Sequence, residues 1–231
     1  MPIDLLICSD THETAPGIGA TPQSVGWLHA GDFYWNRDVA TADDQADADY
    51  ADTMGQLEGS DAYQWFRLAA LPIYTVRGNH DGDDAWGFFR MANDVTGKVV
   101  RLAPQLLLAG VGWYGRHYTD LPSNGDFTQA CMAVGHAARR LKTSEDCLIL
   151  LSHYPAYPPP ADRDSQEAFS PLRELAAEIG PTVIVQGHVH HWAGSQYEVS
   201  TGGRQVRVIN PGPAGGVLSV DVAAKSAAFR A

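Results

Sequence analysis

The sequence predicts an α/β protein of two sheets flanked by helices, and three observations carry that prediction. Short apolar segments of strand length alternate with helical stretches along most of the chain, the pattern of layered α/β proteins. Near the end, strands follow one another with no helix between them, which calls for some antiparallel pairing rather than one purely parallel sheet. No internal repeat or low-complexity linker divides the 231 residues, so a single domain over residues 1–231 is expected.

Ile3 to Ser9 is a strand-like run that stops at Asp10-Thr11-His12, followed by a Gly/Pro/Thr-rich loop from Glu13 to Gln23. A second run, Val25 to Ala30, stops at Gly31-Asp32. Asp38 to Asp61 is acidic and weakly patterned, read as a solvated surface segment with some helix, and Trp65 to Leu71 as the apolar end of a helix. Pro72 to Arg77 is a strand stopping at Gly78-Asn79-His80-Asp81; Asp84 to Met91 suits a short helix and Gln105 to Val111 a strand. Phe127 to Leu141 has the amphipathic period of a helix, with His136, Arg139 and Arg140 on a solvated face. Cys147 to Leu151 is a buried strand ending at Ser152-His153. A Pro-rich loop, a helix over Pro171 to Glu178 and a strand over Thr182 to Val185 lead to Gly187-His188-Val189-His190. Gln196 to Val199, Gln205 to Ile209 and Val217 to Val222 close the chain as strands, with a tight turn at Asn210-Pro211-Gly212.

Composition excludes several classes. Lys and Arg total 16 against 27 Asp and Glu, a formal charge of −11, which argues against holding duplex nucleic acid through a general basic field. Apolar runs fall far short of the ~18 residues a membrane helix needs. Three scattered cysteines, Cys8, Cys131 and Cys147, form no disulfide framework and read as small core residues. With no cleavable leader expected, the compartment is read as cytoplasmic. Trp86 and Trp192 are read as exposed aromatics that hint at an interface.

The chemistry lies at the strand ends. Five of them finish in metal-capable side chains: Asp10 and His12, Asp32, Asn79 and His80, His153, then His188 and His190. Ligands collect outside the carboxyl ends of strands in α/β sheets, where loops distant in sequence converge. Asp-x-His and His-x-His place two ligands on one face of an extended segment. Imidazole, carboxylate and amide oxygen together suit Mn, Fe, Zn, Ni or Co better than Mg or Ca. Eight such side chains are too many for one ion and suit two divalent metals sharing a bridging carboxylate, ~3.5–4 Å apart, which clamp both oxygens of a phosphoryl displacement.

Asp10-x-His12, Gly31-Asp32, Gly78-Asn79-His80-Asp81, His153 and Gly187-His188-x-His190, in that order, resemble the calcineurin-like metallophosphoesterase superfamily. The match spans residues 10–190. The resemblance implies a two-sheet αββα sandwich with outer helices. It implies Asp10, His12, Asp32 and His190 on one ion and Asp32, Asn79, His153 and His188 on the other, with manganese the first choice. A hydroxide between the ions would attack phosphorus, and a non-ligating His80 would stabilise the phosphoryl group or protonate the leaving oxygen.

Two departures from the pattern stand out. The second Asp that follows Gly-Asp in many phosphatases and orients the catalytic His is replaced here by Trp35, leaving Asp81 as a supporting group. The segment between Asp10 and Asp32 is also short and Gly/Pro-rich. The implied function is a phosphoesterase acting on a small phosphoester, nucleotides among the candidates. Phosphodiesters come first and phosphomonoesters second; a nuclease or a non-catalytic scaffold ranks behind both. Trp113, Tyr114, Arg116 and His117, with Tyr154 and Tyr157, read equally as pocket lining or core, and His191 as an exposed neighbour.

Overall fold

The computed structural model describes residues 2–12, 14–33, 61–68, 70–81, 92–112 and 124–231. In chain order the strands are β1 (Ile3–Cys8), β2 (Ser24–His29), β3 (Ile73–Thr75), β4 (Asn93–Asp94), β5 (Val99–Ala103), β6 (Leu106–Val111), β7 (Cys147–Ser152), β8 (Val183–Gln186), β9 (Ser195–Thr201), β10 (Arg204–Asn210), β11 (Gly216–Asp221) and β12 (Ser226–Arg230). The helices are α1 (Asp61–Leu68), α2 (Asn124–Leu141) and α3 (Ser170–Ile179).

The strands make two mixed six-stranded sheets, ordered β12-β11-β1-β2-β3-β4 and β5-β6-β7-β8-β10-β9. β1 to β4 run parallel, as do β6, β7, β8 and β10, while β5, β9, β11 and β12 join antiparallel. Side-chain alternation along each strand builds the layers. Leu106, Leu108, Cys147, Ile149 and Leu151 face inward and meet Leu5, Ile7, Leu28 and Leu218 of the other sheet. Leu107, Ala109, Leu148 and Leu150 face outward onto Phe127, Val134, Leu172 and Leu175 of α2 and α3. On the opposite outer face, Leu6, Trp27 and Ile73 pack against Tyr63 and Trp65 of α1. The expected αββα sandwich is what forms.

α3 has Pro171 in its first turn and stops at Gly180 (φ 54°), whose N–H donates to Ala176 O. Lys142 Nζ caps that end by donating to Ile179 O and Gly180 O at 2.6 and 2.7 Å. The cations here answer the negative ends of two helices, since Arg139 and Arg140 lie in the last turn of α2.

Register sets the position of the site. Cys8 pairs with His29 and His29 with Thr75, so β1, β2 and β3 end level with one another. Ser152 pairs with Gln186, so β7 and β8 end level in the second sheet.

Several expectations need correction. The strand expected over Pro72 to Arg77 is only Ile73–Thr75, and β5 and β12 were not anticipated. Trp192 is buried, with its indole N–H donating to Asp162 at 2.8 Å, and offers no exposed interface. The three cysteines are buried and unpaired, as expected. The short helix over Asp84 to Met91, Trp86, Trp35, nearly all of Asp38 to Asp61 and the aromatic segment from Trp113 to Tyr118 lie outside the described residues. Among the described residues no helix is long and apolar enough to cross a membrane.

Candidate metal centre

The five strand ends meet. Asp10, His12, Asp32 and His190 each present a ligand atom, all within 4.8 Å of one another, and Asp32, His153 and His188 do the same. Asn79 joins the second group: its Oδ1 is 2.8 Å from His153 Nε2 and 3.0 Å from His188 Nδ1. Asp32 belongs to both groups. His80 belongs to neither; its backbone N–H donates to Asp32 Oδ1 at 2.8 Å, and its ring stands edge-on 5.4 Å from that of His12. Asp10, Asp32, Asn79 and His153 form a buried floor, and His190 is exposed at the rim.

The backbone is bent to bring them there. Among the described residues six non-glycine positions have positive φ, and four are candidate ligands: Asp10 (52°), His12 (42°), Asp32 (55°) and His188 (71°). Asp and His enter this region more readily than most residues. Such conformations still cost about 1–3 kcal/mol each and cluster at functional sites. The chain therefore gives up stability to aim these side chains.

The glycines of the motifs allow the loops to close. A Cβ on Gly31, itself at φ 87°, would lie 2.7 Å from His153 Nδ1 and 2.8 Å from Gly78 N. A Cβ on Gly78 would collide with the Asp32 carboxylate and backbone N. Gly78→Ala is therefore expected to lower stability by about 1–3 kcal/mol through overpacking and to displace Asp32. Thermal unfolding checks this, and a wild-type melting temperature would contradict it.

Two further side chains fix the floor. Asp81, fully buried, accepts from Asp32 N at 2.8 Å and Gly78 N at 2.9 Å, locking the ends of β2 and β3 together. His29, also fully buried, accepts from Gly31 N at 3.2 Å and lies 3.0 Å from Thr11 Oγ1. The sequence marks Asp81 as a supporting group without a contact, and His29 lies outside the strand-end motifs. The available signal for His29 was its place as the last residue of a strand, three positions before Asp32.

The other candidates are placed as follows. Tyr154 is core, 5.8 Å edge-on to Phe127 and 4.5 Å from Phe169 by ring centroids, and it backs the His188 ring at 4.7 Å. Tyr157 is half-buried and donates to Thr201. His191 is exposed beside Asp162. Asn210-Pro211-Gly212 forms a turn that also braces the site: Asn210 Nδ2 donates to Val189 O, and Gly212 O accepts from Ser9 N.

The donor set fits divalent cations. His153 Nδ1 donates to Ala30 O at 2.9 Å, so the neutral ring turns the lone pair of Nε2 toward Asn79 Oδ1 at 2.8 Å and Asp32 Oδ2 at 3.5 Å. Three electron-pair donors converge on one point there. Burial, then Asp81 and Asp10, push Asp32 well above the ordinary carboxylate range, and burial pushes Asp10 up to about 6. Burial, then His188, holds His153 well below its ordinary value; burial, then His190, brings His188 down to about 4. Buried carboxylates beside neutral imidazoles are what positive ions stabilise.

Comparison with known proteins supports the fold and the family. TT1561 of Thermus thermophilus is 16% identical, with a TM-score of 0.58 over 100% of this chain and 99% of that one. GAP50, the anchor in the inner membrane complex of Plasmodium, is 10% identical, with a TM-score of 0.51 over 95% of this chain and 81% of that one. At these identities the likeness is one of fold. Comparison with curated protein sequences gave no match. The family description "Calcineurin-like phosphoesterase superfamily domain" matches residues 3–227. Because that match starts in β1 and ends in β12, the chain belongs to the calcineurin-like phosphoesterase superfamily.

Proposed function

We propose that the protein is a dinuclear metal-dependent phosphodiesterase acting on small phosphoesters. One observation carries the reading: the Asp32 carboxylate is common to both groups of converging ligand atoms. Asp10, His12, Asp32 and His190 would hold one ion; Asp32, Asn79, His153 and His188 would hold the other. Manganese is the first choice, with Fe, Zn, Ni or Co compatible with the same donors. Such a pair of ions supplies Lewis-acid stabilisation of the attacking and leaving oxygens and lowers the pKa of water.

The chain's own residues do the rest. Burial, then His190, holds the His80 ring below its ordinary imidazole value, so it is uncharged at pH 7. In that form its ring N–H donates to a phosphoryl oxygen and shares the negative charge that grows there. The His80 backbone N–H holds Asp32 Oδ1, and Asp81 holds the Asp32 and Gly78 backbone, so the shared carboxylate keeps its place through turnover. The order of diester before monoester rests on the intact Asp10-x-His12 and Asn79-His80-Asp81 motifs. Asp10, Asp32 and Asp81, the buried carboxylates at this floor among the described residues, together with a hydroxide would balance two divalent ions, so charge does not separate the two substrates. The −11 chain gives no support to a nucleic-acid partner, and three buried, unpaired thiols suit a reducing cytoplasmic setting.

With added Mn²⁺, kcat/KM for bis-(p-nitrophenyl) phosphate is expected to exceed that for p-nitrophenyl phosphate. The reverse order would make the protein a phosphomonoesterase on the same site, and bound metal with no turnover of either would make it a scaffold.

Metal affinity is expected to rise with pH. Asp10 keeps its proton up to about 6, whereas His188 is already neutral above about 4. Metal therefore competes with the Asp10 carboxyl proton, and binding releases it. Between about pH 5 and about pH 7 Mn²⁺ affinity should rise about tenfold or more. Titration calorimetry at several pH values measures this, and an affinity flat above about pH 5 would contradict it.

A further inference from the structure

The loops that follow β1 and β2 are joined by backbone bonds: Asp10 N donates to Gly31 O at 2.9 Å and His12 N to Asp32 O at 3.2 Å. Thr11 lies between those two links, and its buried hydroxyl meets the His29 ring. The roles of the ring atoms follow from their partners. Gly31 N–H can only donate, so His29 Nδ1 accepts it at 3.2 Å. The neutral ring then carries its proton on Nε2, which donates to Thr11 Oγ1 at 3.0 Å.

This one imidazole touches both loops at their most constrained points. Thr11 is flanked by Asp10 and His12, and Gly31 precedes Asp32; Asp10, His12, Gly31 and Asp32 all have positive φ. Such a backbone persists only where its surroundings over-determine it. The two backbone links set the spacing of the loops, and the side-chain link between them sets the rotation of the Asp10-Thr11-His12 segment.

We infer that His29, through Thr11, is the positioning residue that aims Asp10 and His12 at the ion they would share with Asp32 and His190. The inference rests on the metal reading proposed above. It assigns His29 no contact with substrate or metal. The second ligand group, built on β3, β7 and β8, meets these loops at Asp32 and at Asp10 Oδ1, which accepts the His188 N–H at 2.9 Å, so a fault at Thr11 should fall chiefly on the first ion.

Equilibrium dialysis of the full chain against Mn²⁺ tests this in two backgrounds. Asn79→Ala leaves the first ligand group complete, and His190→Ala leaves the second. Thr11→Val keeps the shape of the side chain and removes the hydroxyl that accepts from His29. In the Asn79→Ala background Thr11→Val should weaken Mn²⁺ binding about 10–100-fold, the usual cost of losing a partner that orients a ligand. Thr11→Ser should restore it. In the His190→Ala background Thr11→Val should change affinity far less. Equal affinity with and without Thr11→Val in the Asn79→Ala background would overturn the inference. So would an equal loss in both backgrounds accompanied by a lower melting temperature of the metal-free chain, since that marks a general packing role. A wild-type chain that takes up no Mn²⁺ would overturn the metal reading and this inference together; two ions in the wild type with no response to Thr11→Val would overturn this inference alone.

Discussion

Asp32→Asn is expected to cut bound metal from two ions per chain to one or none and to lower turnover about 10³-fold or more. The size follows from what a bridging carboxylate does. Asp32 lies in both ligand groups, so replacing it weakens two sites at once. Metal ions supply several kcal/mol of transition-state stabilisation, and each ~1.36 kcal/mol is about tenfold in rate. The amide has nearly the shape of the carboxylate and can still accept from the His80 N–H, so the fold should survive. Metal analysis of the reconstituted variant beside a kcat/KM measurement checks both halves. Two retained ions with wild-type turnover would remove Asp32 from the account.

His80→Ala should separate binding from chemistry. Only the side chain is lost; the backbone N–H that holds Asp32 Oδ1 remains. His80 stands outside both groups of ligand atoms, so both ions should stay. Removing a group that donates to the reacting phosphoryl or moves a proton costs about 10²–10⁴-fold in rate. The expected result is therefore full metal content with a large fall in kcat and little change in KM. Wild-type turnover would exclude the role given to His80, and loss of an ion would make it a ligand instead.

Much of this was legible in the sequence because two signals coincide. Apolar runs end abruptly at residues that no core would accept, and those residues are of metal-binding types. The convergence of Asp10, His12, Asp32, Asn79, His153, His188 and His190 follows from strands that end level across each sheet. What escaped has physical reasons. β5 has no fully buried residue, and β12 alternates in burial but carries the apolar Ala228 on its exposed side, so neither sequence shows the polar–apolar alternation that marks a half-buried strand. Trp192 sits beside exposed His191, and the partner that hides its N–H, Asp162, is 30 residues away. The positive φ of Asp10, His12, Asp32 and His188 has no glycine to announce it. His29 looks like an odd polar residue in an apolar strand until its two partners, Gly31 and Thr11, are brought around it. Asp81 could be named as support, but its clamp on Asp32 N and Gly78 N depends on two strand ends meeting.

The central claim is that loops from both sheets cage a pair of ions around Asp32. A crystal structure of the Mn²⁺-loaded protein, with anomalous scattering recorded at the manganese edge, tests it most directly. Two anomalous peaks ~3.5–4 Å apart, one on each side of the Asp32 carboxylate, are the predicted result. A single peak, or peaks away from Asp10, Asn79, His153, His188 and His190, would contradict the account.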